Sequence, residues 1–308
     1  MSYRLNTTEN YHAHELDTLG WELTVCNALY PENSPCRSVL KNKASLGVNL
    51  YHFLEKYISF KNIRNYLEIG GGMGYLSLDF LKLNSNLRAM LLDISPYLVG
   101  RQKRTLGKYD GRFEQADALK KDEDFFSRFD LVIMNENLGD LPALIPSDDN
   151  KTIPSQELIY YQNKAERLSR KYNLRFDAEE VINIGALSLL EKICRAGVRY
   201  IYLSEHSCEA VAPENLHELI HIASAGFPEK ISLKGHDEYT IKFSHLQKMA
   251  QLLGYKVLRG TLADILPLEF NEKLISTLRM KAAATDEQEI IQQFVYDLYK
   301  YEYLFLKT

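Results

Sequence analysis

Chemically capable residues fall in four short stretches of the 308-residue chain. Tyr66–Ser77, YLEIGGGMGYLS, sets Gly70, Gly71, Gly72 and Gly74 directly after an apolar run that holds one acid, Glu68. Without Cβ atoms, such backbone lets a ligand come close to the main chain. Asp93 ends the next apolar segment, AMLLDIS, and Asp117 ends the following one, FEQADAL. FDLVIMNENLGDLP then closes on Asn135 and Glu136. Polar groups at successive strand ends are what a site on the carboxyl edge of a parallel sheet requires. The ordinary alternatives are a tight turn for the glycines and a cap or solvated loop for each acid.

The glycine spacing separates three ligand classes. A phosphate-cradling GxxxxGK[ST] loop is excluded, because Tyr75, Leu76 and Ser77 follow Gly74 with no lysine. The dinucleotide pattern GxGxxG, counted from Gly70, meets Tyr75 at its third glycine; counted from Gly72, it meets Ser77. What fits without substitution is Gly70-x-Gly72-x-Gly74 preceded by Glu68, which resembles the class I methyltransferases that use S-adenosylmethionine (SAM). That ligand has no pyrophosphate, and a carboxylate such as Glu68 suits its ammonium and sulfonium. The resemblance implies cofactor contacts from Glu68, Gly70, Gly71, Gly72 and Gly74. It implies ribose contacts from Asp93 and Ile94, adenine contacts from Asp117 and Ala118, and a further contact from Asn135.

NENLGDLPAL is similar to the Asn-Glu…Asp-Ala-Leu-Pro signature of the MidA-like methyltransferases, a family that includes a protein arginine methyltransferase. GHDEYTIKFSHLQKMAQLLGYKV and NKASLGVNLYHFLEKY resemble that family's late and early blocks. The chain departs from the pattern at Gly71, where the family has proline, and at YIYLSEHS, which lacks an Asp-Tyr-Gly ending. NENLGDL also resembles a segment of the protein arginine methyltransferases, without the second glutamate of their paired-acid loop.

Methyl transfer is an in-line displacement that asks mainly for alignment and dryness. Glu136 is the first candidate for an acid that meets the acceptor, since a carboxylate can hold a guanidinium in a bidentate pair. Asp140 is the second. His206, beside Glu205 at the next strand end, is a candidate base. His236, Asp237, Glu238 and Thr240 form a polar group ahead of a late strand and read as loop chemistry. No metal ligand set is expected, because Cys194, His206 and Cys208 lack the tight spacing of structural zinc.

The elements that must hold these residues alternate. NYLEI, LRAMLLDI, GRFEQAD, FDLVIMN and GVRYIYLSE read as strands, with helical GYLSLDFLKLN and PYLVGRQKRTLGKY between the first three. The expected fold is α/β, Rossmann-like and class I methyltransferase in type, with a mostly parallel seven-stranded sheet and helices on both faces. Residues 1–60 read as an N-terminal helical cap, with ELDTLGWELTVCNALY and SLGVNLYHFLEKYIS as its helices, and 61–270 as the core. An inserted cover spans about 145–180: the loop LIPSDDNKTIPSQ, then a basic, tyrosine-bearing helix that either meets an acidic partner or forms a solvated, salt-bridged face. SHLQKMAQLLGYKVLRGTL reads as a helix and a strand.

Residues 271–308 read as a C-terminal helical tail. Tyr296, Tyr299 and Tyr303 share one helical face, for packing on the domain or, in a homodimer, on a second copy. Tyr299, Tyr301 and Tyr303 also keep strand period, which leaves the form of the last residues open.

A net charge of −4 gives no basic footprint for nucleic acid. No apolar run reaches the roughly 20 residues of a membrane span. The polar, acid-bearing N-terminus is not that of a secretory signal. The four cysteines, 26, 36, 194 and 208, form no CxxC pair and read as free thiols of a cytoplasmic protein. The expected activity is transfer of a methyl group from SAM to a protein amine or guanidine nitrogen. Its rivals are a small-molecule O- or N-methyltransferase and a non-catalytic SAM-binding assembly protein.

Overall fold

The computed structural model describes residues 2–16, 24–147, 153–280 and 282–308. In chain order its strands and helices are β1 (Ser2–Asn6), α1 (Val25–Leu29), α2 (Pro35–Ser38), α3 (Leu46–Glu55), β2 (Asn65–Ile69), α4 (Tyr75–Leu83), β3 (Arg88–Asp93) and α5 (Pro96–Leu106). Next come β4 (Gly111–Gln115), α6 (Glu123–Phe126), β5 (Leu131–Asn135), β6 (Ala143–Ser147), α7 (Gln156–Tyr172), α8 (Ile184–Arg195) and β7 (Tyr200–His206). The chain finishes with β8 (Lys230–Ser232), β9 (Asp237–Tyr239), α9 (Phe243–Leu252), β10 (Lys256–Thr261), α10 (Glu272–Arg279), α11 (Asp286–Lys300) and β11 (Tyr301–Lys307).

Seven strands form one sheet in the order β10-β11-β7-β5-β2-β3-β4. β11 runs antiparallel to both its neighbours, and the other pairings are parallel. Alternate side chains feed two cores, as strand period dictates. Tyr66, Leu131, Ile133 and Tyr202 face a layer containing α1, α3, α4 and α11. Leu67, Ile69, Val132, Met134, Ile201 and Leu203 face a layer containing α7, α8 and α9. This is the expected α/β architecture.

Three expected elements differ from the structure. Residues 301–307 are not the end of a helical tail but β11, buried between β7 and β10. YEYLFLK is rich in β-forming aromatics, and its alternation sends Tyr301, Tyr303 and Phe305 to the first core and Leu304 and Leu306 to the second. Tyr296 and Tyr299 stay on α11, so the helical stripe ends before Tyr303. The N-terminal region opens with a strand, since β1 pairs antiparallel with β6 across Ser2–Ser147 to Asn6–Ala143. That same pairing makes a strand of the start of the expected loop. Part of the expected helix before Tyr30 and part of that loop lie outside the described residues.

The inserted helix α7 packs on α8 and α9 in the second layer. Its basic residues are satisfied locally: Arg167 and Lys171 both reach Glu191 of α8, and Arg170 reaches Glu166. These are salt bridges of the kind expected for a solvated face, and Lys164 meets Tyr160 instead. No described helix is long and apolar enough to cross a membrane, and the four cysteines are free.

Candidate functional site at the carboxyl edge of the sheet

Gly70, Gly72 and Gly74 have φ of +65°, +51° and +82°. The three positions of the GxGxG spacing thus each take the left-handed conformation that favours glycine. Gly74 caps α4, and its N–H donates to Gly71 O at 2.8 Å. A Cβ at Gly70 would lie 2.5 Å from Asn137 Nδ2, whereas one at Gly72 would meet nothing within 4 Å. Gly70 is needed for packing, and Gly72 borders open space. A Cβ at Gly71 would stand 3.1 Å from the Glu68 carboxyl carbon, which places that acid directly behind the loop. Glu68 is buried and accepts from the Ser77 hydroxyl; burial pushes its carboxyl up to about 7.

Asp93 ends β3 beside the loop. Its two oxygens accept from Ser95 N and from Gln102 Nε2, each at 2.9 Å. Gln102 also donates to Gly72 O at 3.1 Å and so ties α5 to both the loop and the acid. Burial raises Asp93 to about 6. Ile94 is half-buried and next in chain. Asp117 caps the short 3-10 turn Ala118–Lys120 by accepting from Leu119 N at 2.8 Å, and it lies 3.5 Å from Lys120 Nζ. Ala118 is buried.

At the end of β5, Asn135 accepts from Ser204 Oγ at 2.8 Å and donates to Glu136 Oε2 at 3.0 Å. Glu136 has φ +55°, strained for a residue with a side chain. Its carboxylate accepts from Val25 N at 2.6 Å and Cys26 N at 3.3 Å, the first amides of α1. Burial pushes this acid up to about 7. Glu136 therefore clasps α1 over the strand ends. Glu205 accepts from Leu138 N and Gly139 N at 3.0 and 3.2 Å and fixes the loop that follows.

His206 stands with Nε2 3.7 Å from Asp297 Oδ1 and Nδ1 3.7 Å from Glu205 Oε1. Burial opposes its charged form, but Asp297, Glu205 and Glu136 outweigh it and hold the ring above its ordinary value. A cavity of about 450 Å³ opens here between α1 and α11, lined by Val25, Cys36 and Phe294 and by the acids Asp286, Glu289 and Asp297. It reaches none of the loop glycines. It adjoins the Glu136 clasp through Val25 and His206 through Asp297.

Asp140 lies apart from that cavity, among groups from other segments. His12 Nε2 is 2.8 Å from Asp140 Oδ1, and His236 Nε2 is 3.7 Å from the same oxygen and 2.9 Å from Glu238 Oε1. Burial, then Asp140 and Glu205, push Glu238 up to about 10; His12 holds Asp140 below its ordinary value against burial. Thr240 is buried, its hydroxyl accepting from Glu229 N, and Asp237 pairs with Lys230 nearer the surface.

The segment carrying His12 closes the loop from above. Leu16 packs on Met73 and Leu98, and Thr8 Oγ1 donates to Asp140 O at 2.7 Å. His12 and the Val25 and Cys26 amides leave no signal in the sequence, because contacts across 128, 111 and 110 positions carry no local pattern; Gln102, 9 positions from Asp93, reads there only as a polar residue of a helix.

Residues 67–149 match the family model of a methyltransferase domain. That segment runs from β2 through the glycine loop, Asp93, Asp117, Glu136 and Asp140. An uncharacterized protein of Methanocaldococcus jannaschii is 29% identical over 90 residues, which is 29% of this chain and 24% of that protein. The chain thus matches about a quarter of the length of that curated relative.

A SAM-dependent methyltransferase from Mesorhizobium loti superposes with a TM-score of 0.45 at 11% identity, covering 85% of this chain and 99% of that one. One from Archaeoglobus fulgidus gives 0.41 at 16% identity, covering 86% and 96%. The family match falls on the segment that carries β2, the glycine loop and the strand-end acids, within the mostly parallel seven-stranded sheet.

Proposed function

We propose that the whole chain transfers the methyl group of SAM to a cationic amine or guanidine nitrogen presented by a protein. The observation that carries the cofactor half is the coincidence of three left-handed glycines at GxGxG spacing with open space at Gly72. Glu68 sits behind them and Asp93 at the next strand end. The acceptor half is supported by the acid-lined cavity beside Glu136 and His206, and by the resemblance of NENLGDLPAL to the MidA-like signature.

In this reading α1 and the N-terminal segment exclude water from the strand ends. Charge then has somewhere to go. Transfer from a sulfonium to a neutral nitrogen moves the positive charge to the acceptor, and acids already in place stabilise it there without reorganising. His206 is the base in this reading: the facing Asp297 strengthens it but also keeps more of the ring protonated, so proton removal from an ammonium or guanidinium falls to the neutral fraction and should rise toward alkaline pH. Glu136 serves chiefly by holding α1.

Calorimetry with SAM and NAD, on the protein and on Gly72→Arg and Asp93→Ala, tests the cofactor half. Gly72→Arg fills the open space and strains a φ of +51°. Micromolar SAM binding, lost in both variants and absent for NAD, is the expected result. A protein that binds no SAM would end the reading. Transfer of labelled methyl to basic peptides, compared with small amines, then tests the acceptor.

A further inference from the structure

The glycine loop and the acid-lined cavity leave one group of side chains unused. His12, Asp140 and His236 come from the N-terminal segment, the turn after β5 and the β8–β9 hairpin. Their ligand atoms all lie within 4.8 Å of one another, and Glu238 Oε1 joins at 2.9 Å from His236 Nε2. We infer that these residues form a binding site for a divalent first-row transition cation, with Glu238 as fourth donor, that pins the N-terminal segment and the hairpin over the cofactor crevice.

Geometry and chemistry agree on this. Metal–ligand bonds of about 2.0–2.1 Å in a tetrahedron set neighbouring ligand atoms roughly 3.3 Å apart. Three of the spacings, 2.8, 2.9 and 3.7 Å, bracket that value, and the His12, Asp140 and His236 ligand atoms lie within 4.8 Å of one another, so a cation would draw these side chains together in place of the present hydrogen bonds, with Glu238 swinging in from its bond to His236. Two imidazoles with two carboxylates are a donor set suited to zinc, iron, nickel or copper rather than to calcium or magnesium.

The surroundings hold these side chains in place. Tyr11 stacks on His236 at 4.3 Å. Gly235, at φ +93°, allows that approach, since a Cβ there would stand 2.6 Å from the Tyr11 ring. The Asp140 side chain keeps 26% of its surface accessible, which leaves an entry path. No cysteine takes part. The inference does not depend on which acceptor is methylated.

The test is titration of chelator-treated, full-length protein with zinc alone, and separately with cobalt(II). The expected result is one ion per chain and a higher melting temperature. N-terminal proteolysis should slow as well. Cobalt should give ligand-field bands without a thiolate charge-transfer band. His12→Gln and His236→Gln, folded by circular dichroism, should each weaken binding by more than the roughly 10–100-fold that loss of an outer-shell partner costs. His52→Gln, in an exposed pair with Glu55, should leave it unchanged. No binding by the wild-type protein overturns the inference. So does binding that survives both variants, or a cobalt spectrum showing thiolate. If either variant fails to fold, the wild-type stoichiometry and cobalt spectrum decide.

Discussion

If Glu136 is a clasp, its removal should open one segment in particular. Alanine at 136 deprives Val25 N, Cys26 N and Asn135 Nδ2 of an acceptor at 2.6, 3.3 and 3.0 Å. A hydrogen bond to a charged group contributes about 1.5–3 kcal/mol net. The 3.3 Å contact counts for little, and Asn135 keeps its bond from Ser204. Because the carboxyl sits near 7, it carries only part of its charge at neutral pH, which trims the sum.

A local loss of about 2–3 kcal/mol follows, or roughly 30- to 150-fold in the opening of α1. Hydrogen exchange at Val25–Leu29 reads it directly. Glu136→Gly should open the same segment equally. It should nevertheless be more stable overall than the alanine variant by about 1 kcal/mol, because glycine relieves the left-handed φ. Glu136→Gln, which keeps one acceptor, should fall between wild type and alanine. Exchange in α1 within threefold of wild type in folded Glu136→Ala would refute the clasp and return Glu136 to the acceptor.

Two further expectations concern the frame. Glu191, buried and held down to about 2 by Arg167, Tyr172 and Lys171 against the cost of burial, contributes stability that is complete above its unfolded value of 4.5 and lost as pH falls toward 2. At about 1.4 kcal/mol per pKa unit the ceiling is about 3 kcal/mol. The partners' exposure reduces that to about 1–2, so in urea melts the gap between wild type and Glu191→Gln should shrink between pH 4.5 and 2. Truncation after Lys300 removes the strand joining β10 to β7 and should abolish cooperative thermal unfolding. A sharp melt within a few degrees of wild type would show the strand to be dispensable.

What could be read in advance was local. The glycine spacing, the acids at strand ends and the apolar runs of β2, β3, β5 and β7 are short-range patterns that an alternating fold enforces. β11 was ambiguous because aromatic residues at 296, 299, 301 and 303 satisfy two periods at once, and only the open lane between β7 and β10 decides between them. β1 was hidden because its partner strand lies across the whole first half of the chain. The same distance concealed the converging histidines. His236 reads as loop chemistry, and the fold brings Tyr11 and His12 over it; Glu136 reads as a substrate ligand, and the fold adds two α1 amides to its carboxylate.

The acids at the carboxyl edge lead to a last expectation. Glu68 and Asp93 are buried and Glu136 is half-buried; they rest near 7, 6 and 7, and are paired with no lysine or arginine among the described residues. They hold protons that a cation would displace, because a nearby positive charge favours the carboxylate. SAM brings a sulfonium as well as an ammonium; its demethylated product brings only the ammonium. Lowering one such acid from 7 to about 6 releases about half a proton at pH 6.5. Calorimetry in phosphate and in Tris resolves that quantity from the dependence of apparent enthalpy on buffer ionisation. SAM should release about half a proton more than its product at pH 6.5, and the difference should vanish by pH 9, where all three acids are ionised beforehand. Equal release at pH 6.5 would mean that the sulfonium lies beyond their reach, and the edge acids would then be structural groups alone.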